Sequence, residues 1–296
     1  MADRAPGAEQ EQDAAQVCYV FAVGREDAPL QAAAEGLEGP TGAGVRAVYA
    51  AGLGALVSSV PAGLYDEEGL KAQLEDMERL EALARSHHAV VASAYEHTTV
   101  LPMRLATVYL DDSRVEAMLT GRKDEFAALL SRLEGQVEWG VKVYADPRGA
   151  SAANPSEAPA APAGGSGTSG GGSSPGRAYL QQRRKQRNTH RDTYRAAGAV
   201  AERAAALADG IATAKVSHRP QQGELASGPG ENIVNDAYLV PAARSDDFRA
   251  AVGGLAEDVP GVRVELTGPW APYSFATPPS APRQPGGPGE PDADGE

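Results

Sequence analysis

The sequence predicts an α+β protein with two small antiparallel-sheet domains, each with helices packed on one face of its sheet. Apolar residues make up 42% of the 296 residues, so a sizeable core is possible. Strand and amphipathic helix patterns recur on both sides of a segment rich in Gly, Ser and Pro. A helix followed by a one-sided strand occurs twice, at 126–143 and at 248–266. We expect the first domain to be ferredoxin-like and the second to be a rearranged ferredoxin-like domain with a long helix.

Composition also divides the chain into five segments. Segments dominated by Ala, Gly, Ser, Pro and acidic residues cannot bury enough apolar surface to fold. We therefore expect a disordered N-terminus at 1–16, an N-terminal α+β domain at 17–145, a flexible linker at 146–176, a C-terminal α+β domain at 177–275 and a disordered tail at 276–296.

The first domain opens with a run at 17–23 that is apolar on both faces, which predicts a buried central strand. Cys18 lies within it and is expected to be a small core residue rather than a nucleophile. A hairpin is predicted at 45–60, followed by a long amphipathic helix from Asp66 to about Ala94. His87 and His88 fall on that helix without a metal-ligand spacing, so we interpret them as packing or surface residues.

An extended segment at 98–110 contains Pro102, which indicates a break, an edge or a bulge. Arg104 stands there among apolar neighbours. Its guanidinium either pairs with a structural acceptor or faces a partner, and the sequence leaves both roles open. Two short helices and a one-sided strand from Val137 then complete the predicted first domain.

The second domain opens with a helix predicted at 178–214, whose first half is basic. Arg183, Arg187, Arg191 and Arg195 recur every four residues and form a ridge. The ridge either docks on an acidic protein surface or is a solvated helix face. Two strands, a short helix and a third strand follow.

The last predicted strand leads into an aromatic strip made of Trp270, Tyr273 and Phe275, which alternate with prolines. Proline excludes this segment from a central strand, while the three rings carry too much apolar surface to leave in water. We expect the strip to lie in a groove of the chain itself, with a groove of a partner as the alternative.

Bulk properties exclude several functional classes. The net charge of −13 argues against nucleic-acid binding by the whole chain. A single cysteine excludes a disulfide framework and a cysteine-only zinc site, and fits a reducing cytoplasm. We expect neither a signal peptide nor a membrane span. Walker A, Rossmann, nucleophile-elbow and zinc motifs are absent from the sequence, so we assign no catalytic, cofactor or metal residue and expect a binding protein rather than an enzyme.

Five stretches of the chain stand out together, at 19–23, 100–108, 138–144, 235–240 and 266–275. The most specific is Leu266-Thr267-Gly268-Pro269-Trp270-Ala271-Pro272-Tyr273-Ser274-Phe275. In these stretches the chain resembles the gas vesicle protein F/L family. The family often has Phe-Gly where Leu105-Ala106 stands here, and Pro where Ala271 stands.

The resemblance implies a non-enzymatic accessory or minor structural protein of the gas vesicle, located at the vesicle in the cytoplasm. Its implied partners are the small, very hydrophobic shell subunit and other vesicle accessory proteins, met during nucleation or assembly. An exposed apolar sheet face or edge could hold such an aggregation-prone subunit. The candidate partner-binding residues are Tyr19, Phe21, Leu53, Leu56, Arg104, Arg183, Arg187 and Arg191.

Two other functions remain open on the sequence alone. The basic helix at 183–195 could bind nucleic acid, although the predicted sheets lack the aromatic pattern of such modules. An enzyme with an unfamiliar pocket is the third possibility.

Overall fold

A computed structural model describes residues 15–153, 175–220 and 229–277. The first of its two sheets has the strand order β2-β3-β1-β4, and β5 pairs with β1 beyond the end of β4. All of its strand pairs are antiparallel. Its strands are β1 (Gln16–Arg25), β2 (Val45–Ala50), β3 (Leu53–Pro61), β4 (Val100–Pro102) and β5 (Val108–Tyr109).

Helices cover one face of this sheet, where Tyr19 and Phe21 of β1 are packed. The expected single helix from Asp66 to Ala94 is in fact two helices. Asp66 and Asp76 both have extended backbones, and each side chain accepts hydrogen bonds from the backbone N–H groups that follow, so each residue caps a separate helix. The helices on this side are α1 (Ala28–Ala34), α2 (Ala62–Tyr65), α3 (Glu67–Glu75) and α4 (Met77–His97).

The opposite face of the first sheet is covered as well. Val20 of β1 and Val57 of β3 pack there with α5 (Asp112–Gly121) and α6 (Lys123–Leu133). The expectation that helices lie on one face only is therefore wrong for this sheet. A central strand that is apolar on both sides requires cover on both sides.

The second sheet has the strand order β7-β8-β6-β9, again with antiparallel pairs throughout. Its strands are β6 (Gln136–Ala145), β7 (Ala214–His218), β8 (Glu231–Pro241) and β9 (Val262–Trp270). We expected the strand from Val137 to complete the first sheet, and that assignment is wrong. The strand lies between β8 and β9, because Trp139, Val141 and Val143 need the helices of the second sheet to cover their apolar face.

With β6 in this position, the two sheets have the same strand order. If the strands of each sheet are numbered in the order in which the chain forms them, both sheets have the order second, third, first, fourth. The second sheet is covered by α8 (Pro175–Asp209) and α9 (Ser245–Val252). Its other face contributes Ala237 and Leu239 to the cluster that contains Val20, α5 and α6. The two sheets thus share a core through α5 and α6.

Part of the expected linker is helical, since 147–153 form α7 (Pro147–Ala153). The rest of it up to residue 174 lies outside the described residues, as do most of the expected disordered termini, at 1–14 and 278–296.

Candidate functional site

The aromatic strip docks on the chain itself. The Trp270 ring centroid lies 5.2 Å from that of His88 on α4, in an edge-to-face arrangement. The Tyr273 hydroxyl is 3.3 Å from Nδ1 of the same histidine. Phe275 is 2% exposed and belongs to the core cluster shared by the two sheets. The strip thus contacts residues of both halves of the molecule, while Trp270 is still 42% exposed.

A cleft of about 640 Å³ opens beside this docked strip. One side is the loop that follows β4, with Pro102, Met103 and Arg104, and the floor is α4. The other side is β7, with Val216 and His218, closed by the segment from Tyr273 onward. The cleft therefore lies where the two sheets meet and has both apolar and cationic walls.

A buried carboxylate on β6 is linked to two elements of the cleft, the segment from Tyr273 onward and β7. Glu138 on β6 is 9% exposed and accepts hydrogen bonds from the backbone N–H of Ser274 at 2.8 Å and from its Oγ at 2.7 Å. His218 Nε2 lies 2.9 Å from the same Oγ. Burial raises the pKa of Glu138 above its usual value, and the two hydrogen bonds from Ser274 oppose that shift.

His87 lies under the cleft as a neutral imidazole. Its Nε2 is 3.1 Å from the carbonyl oxygen of Met103, and because a carbonyl only accepts, Nε2 carries the proton. Nδ1 then accepts from the Tyr19 hydroxyl at 2.9 Å. Burial lowers the pKa of His87 to about 4, which fits this neutral form. The buried pair Tyr19 and His87 thus holds the loop wall of the cleft from below.

The same loop contains a strained position. Ala106 has a φ of +62°, and its backbone N–H donates to the Tyr19 hydroxyl at 3.2 Å. Glycine adopts this left-handed conformation without the steric penalty of a Cβ atom. A glycine at this position would therefore fit the backbone better than the alanine does.

The predicted apolar contact residues lie in the core. Tyr19, Phe21 and Leu56 are fully buried, and Leu53 is 3% exposed. The expectation that they form an accessible face is wrong, because α1 and α4 cover one side of the sheet while α5 and α6 cover the other.

The predicted cationic contact residues are exposed. Arg104 lines the cleft, and within the described ranges its guanidinium has no ion pair or hydrogen bond. Arg183, Arg187 and Arg191 lie on a different element, α8. The structure thus brings Arg104 together with the aromatic strip but does not bring it together with the basic ridge.

Cys18 is buried, as expected of a core residue, and its thiol donates to Asp112 Oδ1 at 3.0 Å. Burial is the largest cause that raises its pKa, to about 11, so the reactive thiolate is suppressed.

Sequence reasoning missed Glu138, His218 and Ser274. Polar residues that alternate with apolar ones on a strand are expected to face solvent. An acid at such a position fits the pattern whether it is buried or exposed, so no local pattern distinguishes Glu138 from a surface residue. Among the described residues, no group of three or more His, Cys, Asp or Glu could hold a metal ion. In the same part of the chain, no helix combines the length and apolarity needed to cross a membrane.

Comparison with known proteins gives consistent matches over most of the chain. The model of the family described as gas vesicle synthesis protein GvpL/GvpF matches residues 17–277. Gas vesicle protein L of Streptomyces sp. (strain CB03234) is 44% identical over 259 residues, covering 87% of this chain and 92% of that protein. Gas vesicle protein F of the same strain is 29% identical, covering 87% and 98% respectively. The crystal structure of GvpF from Anabaena sp. PCC7120 has a similar fold, with a TM-score of 0.60 at 17% identity over 91% of this chain and 99% of that one.

Proposed function

The chain belongs to the gas vesicle synthesis protein GvpL/GvpF family, and from this we propose that it is an accessory or minor structural protein that binds the hydrophobic shell subunit and other vesicle proteins during nucleation or assembly. It acts by binding rather than by catalysis. Its place of action is the gas vesicle, in the cytoplasm.

One observation carries this proposal. Two of the stretches with the family resemblance, 100–108 and 266–275, lie far apart in the sequence and meet at the inter-sheet cleft. Met103 and Val216 offer apolar contacts from opposite sides of the cleft, and Arg104 offers a guanidinium on the same side as Met103. Such a cleft suits an apolar segment of a partner that carries a carboxylate at one end.

The cleft replaces the sheet face as the proposed binding surface. Both faces of the first sheet are covered by the chain's own helices, so a shell subunit would reach Tyr19 or Leu56 only by displacing them. The cleft offers apolar atoms without such a displacement. We also infer a ferredoxin-like arrangement for both sheets, supported by their shared strand order and antiparallel pairing.

The test is co-purification of the shell subunit with the full chain and with cleft variants. Arg104→Glu and Met103→Gln should each reduce capture of the shell subunit by fivefold or more. Arg114→Glu is the matched control, since Arg114 is exposed on α5 and does not line the cleft. Capture that is unchanged in both cleft variants would exclude the cleft as the binding surface. Failure of the wild-type chain to capture any vesicle protein would exclude the function itself.

The alternative that α8 binds nucleic acid is favoured only by its exposed cationic side chains. Nucleic-acid binding would fall steeply as salt is raised. A gel-shift titration at low salt that shows no retarded species removes this alternative.

A further inference from the structure

Most described side chains in the first half of α8 are exposed, although the helix also contacts α7. Packing on the second sheet begins at Tyr194 and continues through Ala197, Val200 and Ala204. Between residues 177 and 192 the described side chains are exposed, except for half-buried Thr189. At 1.5 Å per residue, this part of the helix is about 24 Å long.

This segment, the α8 arm (177–192), has an apolar and cationic surface. Tyr179 and Leu180 are 60% and 63% exposed, which is unusual for large apolar side chains. The Arg183 guanidinium lies 6.0 Å from the centroid of the Tyr179 ring. Among the described residues, no carboxylate lies within ion-pair distance of Arg183, Arg184 or Arg187. Six cations and one carboxylate, Asp192, occur in the arm, and the cations are Arg177, Arg183, Arg184, Lys185, Arg187 and Arg191.

A surface of the opposite charge lies on α2, α3 and the first turns of α4, at 64–81. Leu64, Leu74 and Met77 are 47%, 42% and 65% exposed there. The only cations within 64–81 are Lys71 and Arg79, and each already pairs with a carboxylate of the same segment. The seven acids surrounding the exposed apolar residues are Asp66, Glu67, Glu68, Glu75, Asp76, Glu78 and Glu81.

We propose that the α8 arm of one molecule docks on the α2–α4 surface of a second copy of this chain. Each surface has exposed apolar side chains within a field of one sign of charge, and the two signs are opposite. One molecule carries both halves of the contact on different sheets, so a second copy is the occupant that the chain itself supplies.

The contact is head-to-tail because the two surfaces differ. A heterologous contact of this kind leaves one free arm and one free acidic surface after each addition. It therefore extends into a row of molecules or closes into a ring. Because the charged residues are solvent-exposed, the association is weakened by salt.

Sedimentation velocity of the full chain over a range of concentrations tests this proposal. At low salt the weight-average mass should rise with concentration above the 30.6 kDa of one chain, and it should return to that value in 0.5 M NaCl. Arg183→Glu/Arg187→Glu should weaken the association at least tenfold, and Glu75→Lys/Glu78→Lys should do the same. The matched control is Arg203→Glu, which reverses an exposed charge on the same helix outside the arm and should associate like the wild type.

Mixing the two charge-reversed variants tests whether the arm and the acidic surface contact each other. Each variant has one surface reversed, so an unaltered arm meets an unaltered acidic surface only between unlike molecules. The equimolar mixture should therefore reach the mass of a 1:1 dimer, and it should not extend further because the free ends of that dimer are the two reversed surfaces. A wild-type chain that stays monomeric at all concentrations and low salt overturns the proposal. So does a mixture that remains monomeric while circular dichroism shows both variants folded. Neither outcome affects capture of the shell subunit, which is measured separately.

Discussion

The Tyr273 hydroxyl lies 3.3 Å from Nδ1 of His88, although 185 positions separate the two residues in the chain. The strip that follows β9 is thereby held on α4, beside the first sheet. This contact, together with the core shared through α5 and α6, connects the two halves of the molecule.

Replacing Tyr273 with alanine should destabilise the fold. The ring is half-buried against His87 and His88, so Tyr273→Ala should lower the free energy of unfolding by about 2–4 kcal/mol. Tyr273→Phe keeps the ring and should cost about 1 kcal/mol or less. Urea unfolding measures both. Tyr179→Ala is the control, because that ring is 60% exposed. A loss of stability in Tyr179→Ala as large as that in Tyr273→Ala would refute the docking contact.

Burial of His87 makes stability depend on pH. Its pKa is 6.5 when unfolded and about 4 when folded, so as pH falls the unfolded chain binds the proton first. The contribution of His87 to the free energy of unfolding is fully present above pH 6.5. It is lost as pH falls towards 4, and the total loss is roughly 3 kcal/mol. In His87→Gln this part of the pH dependence should disappear from urea unfolding curves. The exposed His97→Gln should retain it, and equal curves for wild type and His87→Gln would contradict the assignment.

Glu138 acts in the opposite direction. Its pKa is raised in the folded protein, so above pH 4.5 the unfolded chain ionises first and folding loses stability until the folded pKa is passed. Glu138→Gln cannot ionise. The free energy of unfolding of Glu138→Gln minus that of wild type should therefore be more positive at pH 7 than at pH 4. The comparison variant is Glu116→Gln on the exposed surface of α5, and a pH-dependent gain there as large as that of Glu138→Gln would contradict the assignment.

A substitution at Leu56 tests whether this residue stabilises the core or contacts the shell subunit. It is fully buried, so Leu56→Ala should lower the free energy of unfolding by about 2–5 kcal/mol. Leu110→Ala, at a side chain 69% exposed, should change it by about 0.5 kcal/mol or less. Loss of shell-subunit capture in Leu56→Ala with unchanged stability would restore the residue as a contact.

Ala106→Gly should stabilise the protein, by up to about 1 kcal/mol, because φ at this position is +62°. The same substitution at the exposed helical residue Ala72 should instead cost about 1 kcal/mol. Thermal and urea unfolding of the two variants give the comparison, and a destabilised Ala106→Gly would show that the alanine methyl contributes packing that outweighs the backbone strain.

Local pattern was sufficient to predict most elements but not their partners. The run at 17–23 predicted a strand buried on both faces, and Tyr19 and Phe21 are fully buried. The same pattern does not identify what covers each face, so the inference of a free face failed. The α+β class followed from strand alternation together with the helical spacing of apolar residues.

Pairing across long distances could not be read from the sequence. β6 joins β8, about a hundred residues later, and the intervening Gly/Ser-rich segment suggested a domain boundary instead. The cleft depends on the same long-range contacts. The Ser274 hydroxyl lies between Glu138 and His218, and this link exists only in the folded chain. The resemblance marks the stretch that contains Ser274, but no local pattern connects it to Glu138 or His218.

The position of β6 has a consequence for any attempt to divide this protein. Cutting the polypeptide between 154 and 174 would leave a strand with an uncovered apolar face on one fragment and a sheet missing an interior strand on the other. Neither fragment would then be a self-sufficient unit, and each would supply what the other lacks. Co-expressed as separate pieces, they should recombine, whereas either piece produced alone should be recovered as insoluble material.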